Sequence, residues 1–521
     1  MKQGSSTDEP LYILGNSRYS SSMENIALGI LAHGTNGSIV TVECSATNGL
    51  PTITIIGPGN RIVDEARERI RSALHHCKLD IPRKRIVINL APADLIKDSP
   101  ALDLAIAVAL LQLNHTFKTY SGCAFIGELG LRGDIKPVRG IIGMIQGARQ
   151  QGVTSFFIPR GNVSQASIIE GVRIVPVDNL QQVFALLADG FKAQENLSGL
   201  IRQPTLLVNP LTEIVGQETA KRGLVIAAAG GHNIYMSGPP GTGKSMLAKA
   251  LPGLLPPMSN AEMIETTQLH SLASRNYEAV ITTRPFRAPH HTASTVSLVG
   301  GGNLIKPGEI SLSHNGVLLL DEMPEFKRSA LETLRQPLEE GRITISRAKD
   351  SITYPAQFIL AATANPCPCG FYGTSKQCTC TTAQIQRYSQ KISGPILDRI
   401  DLHIAVHEID YEKLLAKHGS QNSVDPYKIV FGAREAQFNR NGPGRLNASL
   451  ANAEVKANVR FSKNAKLFLD SIAVKTKISA RSYMRIIKVA QTIADIEGSK
   501  EVTQAYIAEA FQYRSRLSTE A

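Results

Sequence analysis

The sequence predicts an α/β protein of several domains, and three observations support this. Residues 21–190 and 205–400 each alternate short apolar strands with helical segments, a pattern typical of sheets covered by helices. In the second stretch a glycine-rich turn follows a strand and opens a helix, and residues 401–521 are mostly helical in pattern. A chain of 521 residues is longer than a single hydrophobic core usually accommodates. Roughly two to four domains are therefore expected.

The composition is that of an ordinary globular protein, with 43% hydrophobic and 19% charged residues. A net charge of +12 favours a polyanionic partner such as nucleic acid, although a solvated basic surface explains it equally well. The start of the chain lacks an apolar signal segment, and the longest apolar run, from Leu102, is too short to span a bilayer. We therefore expect a cytoplasmic protein with no membrane partner.

The first stretch, residues 21–190, contains its predicted elements in regular succession. Residues 1–20 are polar and predict a flexible tail. Within residues 21–195, the predicted strands and helices follow one another as SIVTVECSA, PTITIIG, VDEARERIRSALHHC, RIVINLAP, LDLAIAVALLQL, FIGEL, the helix at 140–150, SFFIPR and RIVPV. A polar connector, AQENLSGLIRQP, ends this domain near residue 200.

The second stretch contains a phosphate-loop pattern, G-x-x-x-x-G-K-[ST]. It follows the strand-like segment HNIYM and opens a helix, which is the context that such a loop requires. Backbone N–H groups at its glycines can surround a β-phosphate, Lys244 would reach the β- and γ-phosphates, and Ser245 would bind Mg²⁺. The predicted ATP-binding residues are Gly238, Pro239, Pro240, Gly241, Thr242, Gly243, Lys244 and Ser245.

Two later apolar strands end in polar residues suited to hydrolysis. The segment GVLLLDE places Asp321 and Glu322 at a strand end, where Asp321 can hold Mg²⁺ and Glu322 can polarise the attacking water. The strand FILAATAN ends in Asn365, whose amide could sense the γ-phosphate. These residues predict an ATPase.

These motifs resemble an AAA+ module. The segments 284–322 and 365–370 closely resemble the magnesium-chelatase-like ATPases of the ComM/YifB type. The resemblance implies a ribosomal-S5-domain-2-like, Lon-protease-like domain at 21–195, an AAA+ core at 205–400 and a helical lid at 401–521. It also implies a bacterial hexameric ring that uses ATP and Mg²⁺ to drive branch migration of single-stranded and branched DNA during natural transformation, with recombination proteins as further partners.

Three positions take roles from this resemblance. Val215, in the segment Val215-Gly216-Gln217, matches the residues that flank adenine. Arg399, in GPILDRID, resembles the finger that an AAA+ subunit inserts into its neighbour's nucleotide site. Arg481, in ISARSYMRII, resembles the lid arginine that contacts the γ-phosphate in cis or in trans. A finger supplied by the next subunit implies a closed homo-oligomeric ring.

The resemblance also assigns two pore-facing segments, a helix-2 insert at 259–310 and a β-hairpin that precedes the third strand. The hairpin sequence GRITISRAKDSITYP carries Arg347 and Lys349 at its tip, and we predict that these cations grip the DNA backbone. An exposed hairpin charged against aggregation is the alternative. Arg284 and Arg287 of the insert, with His290 and His291, are secondary DNA-contact candidates.

Four cysteines are grouped at Cys367, Cys369, Cys378 and Cys380. Two C-x-C pairs separated by eight residues can form a tetrahedral Zn²⁺ site. A reduced cluster without metal, or a disulfide, is the alternative. Four thiolates leave no open coordination position, so the predicted zinc is structural.

The N-terminal domain departs from the Lon-type pattern at the catalytic dyad. Ala101 stands at the position of the nucleophilic serine and Ile142 at that of the lysine, while Ser99 is two residues out of register. Neither Ala101 nor Ile142 can attack a peptide, so a Lon-like protease is disfavoured. A magnesium-chelatase-type ATPase that remodels a protein partner is the main alternative function. Basic segments at 66–72 and 83–85 could contact DNA or simply face solvent.

Overall fold

A computed structural model describes residues 25–56, 61–93, 95, 99–117, 122–189, 210–212, 214–273, 278–302, 305–346, 351–374, 376–408 and 425–514. The chain divides into two compact units, Met1–Leu197 and Ser198–Ala521. The predicted tail, the connector near residue 200 and the hairpin tip at 347–350 lie outside the described residues.

The first unit is a mixed sheet flanked by helices. Among its described residues, seven strands form one sheet in the order β3-β4-β2-β1-β5-β8-β9, and β6 and β7 form a separate pair. The strands are β1 Ile26–His33, β2 Asn36–Thr47, β3 Thr52–Ile56, β4 Arg85–Ala91, β5 Cys123–Phe125, β6 Glu128–Leu129, β7 Ile135–Lys136, β8 Ser155–Pro159 and β9 Arg173–Val177. The helices are α1 Arg61–His76, α2 Asp103–Leu111, α3 Ile141–Gln150, α4 Val163–Ala166 and α5 Leu180–Asp189.

Helix α2 is the centre of the first unit's core, because every one of its residues is buried. Its single charge, Asp103, accepts hydrogen bonds from Arg69 Nε at 2.9 Å and from the Leu129 N–H at 3.2 Å. Burial raises the pKa of Asp103 to about 6, and the paired guanidinium opposes that rise. Arg69 of the basic segment 66–72 therefore has a structural partner inside the protein.

The positions that match the Lon-type dyad are part of the core. Ala101 and Ile142 are both fully buried. The Ser99 hydroxyl accepts the Ala101 N–H at 3.3 Å and caps the 3₁₀ turn Pro100–Leu102. Ala101 and Ile142 thus pack in the core, and Ser99 caps a turn.

The second unit contains a parallel sheet with the order β11-β14-β17-β10-β18 among its described residues. The strands are β10 Ile234–Ser237, β11 Phe286–Arg287, β12 Gly300–Gly301, β13 Lys306–Pro307, β14 Val317–Leu320, β15 Arg342–Ser346, β16 Ser351–Pro355, β17 Ile359–Ala364 and β18 Leu402–Ala405. The helices up to β18 are α6 Glu218–Gly230, α7 Lys244–Ala250, α8 Asn260–Ala273, α9 Thr295–Val299, α10 Glu309–Leu312, α11 Arg328–Glu332, α12 Arg335–Glu340, α13 Thr382–Ser389 and α14 Gly394–Leu397. Since β18 belongs to this sheet, the predicted end of the core at residue 400 falls before its last strand.

Helices follow this sheet to the end of the described chain. They are α15 Pro426–Asn441, α16 Asn452–Asn458, α17 Lys463–Thr476, α18 Ala480–Ile496 and α19 Gln504–Gln512. Helices α15 and α18 pack on α6, and all three contribute to one apolar cluster with β10 and β18. Among the described residues, no helix combines the length and the apolarity needed to cross a membrane.

A buried polar network also joins these helices to the sheet. His232, which is fully buried just before β10, contacts Asp401 Oδ2 through Nδ1 at 3.0 Å and Thr492 Oγ1 through Nε2 at 2.8 Å. Burial opposes ionisation of Asp401, but His232 and Arg485 together hold its pKa below the usual value. Because buried polar groups require partners, this network fixes α18 against the start of the sheet.

Candidate active site

The site begins with three adjacent parallel strands. β10 lies between β17 and β18, and β17 lies between β10 and β14. The phosphate loop follows β10, Asp321 follows β14 and Asn365 follows β17. Because the carboxyl ends of parallel strands share one edge of a sheet, these segments meet there.

The phosphate loop leaves open space on its inner side. Gly241 and Gly243 have φ angles of 81° and 84°, which side chains rarely adopt. Among the described residues, no heavy atom outside the adjacent chain lies within 4 Å of the position that a Cβ would take at either glycine. The backbone of the loop at these two glycines can therefore approach a phosphate closely. The loop is further held by Thr242, whose hydroxyl donates to the Pro239 carbonyl at 2.9 Å.

Lys244 is folded back onto this loop and is only 9% exposed. Its Nζ donates to the carbonyls of Gly238 and Pro239 at 2.8 and 2.7 Å, and to Asn365 Oδ1 at 3.2 Å. Burial lowers the pKa of Lys244, while Asp321 and Glu322 counteract that shift. The loop lysine and the strand-end asparagine are thus brought together, as the strand pattern predicts.

Ser245 and Asp321 form the predicted Mg²⁺ pair. The Ser245 hydroxyl donates to Asp321 Oδ1 and Oδ2 at 3.1 and 3.0 Å. Hydroxyl and carboxylate oxygens are suitable Mg²⁺ ligands, and a magnesium site commonly uses few protein groups with substrate phosphates and water. These two side chains would hold the ion beside the loop.

Thr363 is a site residue that the sequence reading missed. It is fully buried in β17, donates its hydroxyl to Asp321 Oδ1 and accepts the Glu322 N–H at 3.0 Å. Glu322 has a φ angle of 52°, so its backbone is in the left-handed region and depends on its surroundings. A hydroxyl in the otherwise apolar run ILAATA was the available signal.

Replacing Thr363 by Val is expected to lower kcat for ATP hydrolysis by about tenfold to a hundredfold. Valine keeps the shape but removes both hydrogen bonds, and bonds to charged groups contribute about 1.5–3 kcal/mol. Thr363→Ser, which retains the hydroxyl, is the matched variant and should keep most activity. Steady-state phosphate release measures both, and equal activity in the two variants would contradict this role.

Gln217 ties the predicted adenine-flanking segment to the loop. Its Nε2 donates to the His407 carbonyl at 2.6 Å and reaches the Thr242 carbonyl at 3.5 Å. Val215, two residues earlier, is half-buried. The segment 215–217 therefore lies beside both the phosphate loop and the chain that follows β18.

Arg399 and Arg481 meet each other elsewhere in the unit. Both guanidinium groups bind the carboxylate of Glu339: Arg399 through Nη2, and Arg481 through Nη2 at 2.9 Å. Arg399 also donates to the Pro395 carbonyl at 2.6 Å. Among the contacts of the described residues, none joins either arginine to residues 238–245. The predicted catalytic residues therefore fall into two groups.

The arginines of the helix-2 insert are occupied inside the protein. Arg284 donates to Glu262 Oε1 at 3.0 Å and to the Asn315 carbonyl at 2.8 Å. Arg287 binds both oxygens of Glu309 at 2.6 and 2.7 Å. Both carboxylates belong to the insert itself, so these ion pairs hold its own segments together, and the Asn315 carbonyl lies just beyond it. A DNA contact by either arginine stays a prediction.

The two histidines of the insert remain near the surface. The rings of His290 and His291 are 4.1 Å apart between centroids, and His290 Nδ1 lies 2.9 Å from the Thr292 hydroxyl. His290 is exposed and His291 is half-buried. They form a surface pair on the loop before α9.

The hairpin is present as β15 and β16, which pair antiparallel from Arg342↔Pro355 to Ser346↔Ser351. Its base is anchored by Tyr354, which is fully buried and donates its hydroxyl to the Ile305 carbonyl of the insert at 2.8 Å. Hairpin and insert thus pack together. Arg347 and Lys349 lie outside the described residues.

The four grouped cysteines form a compact cluster after β17. Their sulfur atoms all lie within 4.8 Å of one another, and Cys367 Sγ lies 3.3 Å from Cys369 Sγ and 3.7 Å from Cys378 Sγ. Four thiolates at tetrahedral Zn–S distances would be about 3.8 Å apart. Backbone N–H groups of Phe371 and Thr379 lower the pKa of Cys369 to about 5. The donor set fits a structural zinc ion.

The cysteine loop also contacts the phosphate loop. Gly370, between the two C-x-C pairs, has a φ angle of 87°, and a Cβ there would lie 2.7 Å from Pro240 Cδ. A side chain at residue 370 would therefore collide with the loop that holds phosphate.

Comparison with known proteins agrees with this geometry. Family models described as magnesium chelatase, subunit ChlI, match residues 210–414 and 42–162, and the model of the ChlI C-terminal part matches residues 420–514. The chain is 40% identical over 489 residues to YifB of Salmonella typhimurium, covering 93% of this chain and 96% of the relative. It is also 40% identical over 506 residues to the competence protein ComM of Haemophilus influenzae, with the same coverage.

A more distant relative is the magnesium-chelatase 38 kDa subunit of Rhodobacter capsulatus, which is 27% identical over 193 residues, or 34% of this chain and 54% of the relative. Membership of this family implies ATP hydrolysis with ATP and Mg²⁺ as ligands, in agreement with the phosphate loop and the Ser245–Asp321 pair. On sequence and site geometry together, the chain belongs to the ComM/YifB type of magnesium-chelatase-like AAA+ ATPases.

Proposed function

We propose that this protein is an ATP-driven DNA translocase that assembles as a homo-hexameric ring and promotes branch migration during homologous recombination of incoming DNA. The observation that carries the proposal is the division of the site. The phosphate loop, Asp321 and Asn365 gather at one edge of the sheet, while Arg399 and Arg481 gather at Glu339. A second copy of the chain would supply the arginines to the first.

Each group has a defined task in this proposal. ATP with Mg²⁺ supplies the phosphoanhydride bond that is broken. Lys244 binds the terminal phosphates, Ser245 and Asp321 hold the metal side, and Glu322 takes the proton of the attacking water. Asn365 orients the water or the terminal phosphate. Arg399 and Arg481 of the adjacent protomer offset the charge that develops on that phosphate. Arg481 is assigned in trans because it shares the Glu339 carboxylate with Arg399.

DNA is the proposed substrate because the sequence of the hairpin tip carries two cations suited to bind phosphate, and the hairpin is part of the ATPase core. Arg347 and Lys349 would contact the backbone without reading sequence. The net charge of +12 and the name of the Haemophilus influenzae relative, a competence protein, support this. Tyr354 anchors the base of the hairpin to the insert. The hairpin can therefore move as a rigid element when nucleotide binding or hydrolysis changes the conformation of the core.

The tip is tested by Lys349→Ala. Branch migration on four-way DNA should be lost, and the ratio of DNA-stimulated to basal ATPase should fall towards one. Each lost phosphate contact should also reduce the salt slope of DNA binding by about 0.7–0.9. Lys456→Ala, on the exposed face of α16, is the matched control. Full migration by Lys349→Ala would remove the gripping role.

The cysteine cluster is proposed to hold one structural Zn²⁺ through Cys367, Cys369, Cys378 and Cys380. The spacing of the sulfur atoms supports this. Zinc at this place would hold the chain after Asn365 in position.

The likeness to the Rhodobacter capsulatus subunit favours a second candidate, an ATPase that remodels a protein partner. DNA separates the two functions. In the proposed translocase, forked or four-way DNA should stimulate ATP hydrolysis and be unwound, whereas a protein remodeller should hydrolyse ATP at the same rate with or without DNA.

A further inference from the structure

The carboxylate of Glu339 joins two arginines that are far apart in sequence. Arg399 lies 60 residues away and Arg481 lies 142 residues away, and each binds a different oxygen of the same carboxylate. The finger and the lid arginine are thus held side by side by one anionic group. A phosphate, which also carries several acceptor oxygens, has the chemistry to replace it.

The surroundings make this bridge replaceable. The side chains of Glu339 and Arg481 are 51% and 49% exposed, whereas that of Arg399 is 11% exposed. The Arg481–Glu339 pair, in which both side chains are exposed, contributes little and is screened by salt. Moreover, Arg399 Nε is buried without a hydrogen-bond partner among the described residues, so the present arrangement does not use all of its donors.

Glu339 is also close to the hairpin. It is the residue before the end of α12, and Gly341 separates that helix from β15. Pro337 of α12 is buried and Leu338 packs against the same apolar cluster as Ile343 of β15. A change in the partners of Glu339 therefore occurs three residues from the first strand of the hairpin.

We propose that Glu339 is a positioning residue that holds Arg399 and Arg481 until the terminal phosphate of ATP bound to the adjacent protomer takes its place. The exchange frees the end of α12 and so couples the neighbour's nucleotide to the hairpin. This inference rests on the proposed ring, in which the arginines act in trans.

Glu339→Gln tests it, since the amide keeps the shape and removes the charge. Without a competing carboxylate, the arginines bind the neighbour's phosphate more readily, and KM for ATP is expected to fall by about fivefold. Nucleotide-dependent assembly, followed by mass photometry, should occur at correspondingly lower ATP concentration. DNA stimulation of the ATPase should fall by at least half, because the link to the hairpin is lost.

Glu340→Gln is the matched control. Glu340 is the next residue of α12, is similarly exposed, and pairs with Arg342 instead. Its KM and assembly should equal those of the unsubstituted protein. In an Arg399→Ala background, Glu339→Gln should leave ATP-dependent assembly nearly unchanged, because the main arginine that the Glu339 carboxylate holds back is gone.

Two outcomes overturn the inference: equal KM in the Glu339 and Glu340 variants, or a raised KM in Glu339→Gln at an unchanged melting temperature. The KM and assembly measurements need no DNA. If the unsubstituted protein forms rings but is not stimulated by DNA, the proposed substrate is wrong while the role of Glu339 is still decided by KM.

Discussion

Replacement of Glu322 by Gln should reduce ATP turnover by at least about a hundredfold while ATP binding is retained. Glutamine preserves the shape at a backbone position with a φ angle of 52°, and it retains the N–H that Thr363 accepts. Only the ability to accept a proton is lost, and a general base contributes about 10²–10⁴-fold in rate. Phosphate release and fluorescent-nucleotide binding measure the two properties separately.

The control for this substitution is Glu325→Gln, three residues further on. Glu325 is exposed and pairs with Lys391, so its loss should leave turnover within about twofold. If Glu322→Gln retained turnover comparable to that of Glu325→Gln, the assignment of the base would be wrong, and another acid would have to be sought.

Arg399→Ala should lower kcat by about a thousandfold or more if the guanidinium stabilises the transferred phosphoryl group. Arg335→Ala is suitable as a control, because Arg335 is an exposed arginine of α12 that pairs with Glu332. Because Arg399 has no contact with residues 238–245 among the described residues, the loss is expected to act on the neighbouring protomer's ATP.

Mixing two inactive variants distinguishes trans from cis action. Lys244→Ala lacks a working phosphate loop but keeps Arg399, whereas Arg399→Ala keeps the loop. In a mixed ring, some interfaces combine the intact loop of one chain with the intact arginine of the other, so activity should return well above either variant alone. No recovery in demonstrably mixed rings would place the arginine in cis.

The sequence was most informative where a site is built from local motifs and from the ends of apolar strands. The phosphate loop is a local strand–turn–helix motif, and the placement of Asp321, Glu322 and Asn365 beside it could be predicted because parallel strands bring their ends together. The positions of β10, β14 and β17 follow the apolar runs that predicted them. Periodicity and turn chemistry are local properties, so they can be read without coordinates.

Residues whose role depends on distant partners could not be assigned in this way. Thr363 acts on Asp321 across two strands, and Glu339 collects arginines from two other elements. In the opposite direction, Arg284 and Arg287 resembled free cations in the sequence but have internal carboxylate partners. Pairing of charges is decided by tertiary proximity, which a single sequence does not contain.

The close approach of Gly370 to Pro240 places the cysteine loop directly against the phosphate loop. Cysteines that ligate zinc release the ion when they are oxidised. The loop that contains the four cysteines contacts the phosphate loop, which is proposed to bind ATP. If the cluster holds zinc as proposed, its oxidation would disturb the loop that contacts Pro240, and with it the turn proposed to bind ATP. We expect thiol reductant together with zinc to restore the ATPase activity lost on such oxidation.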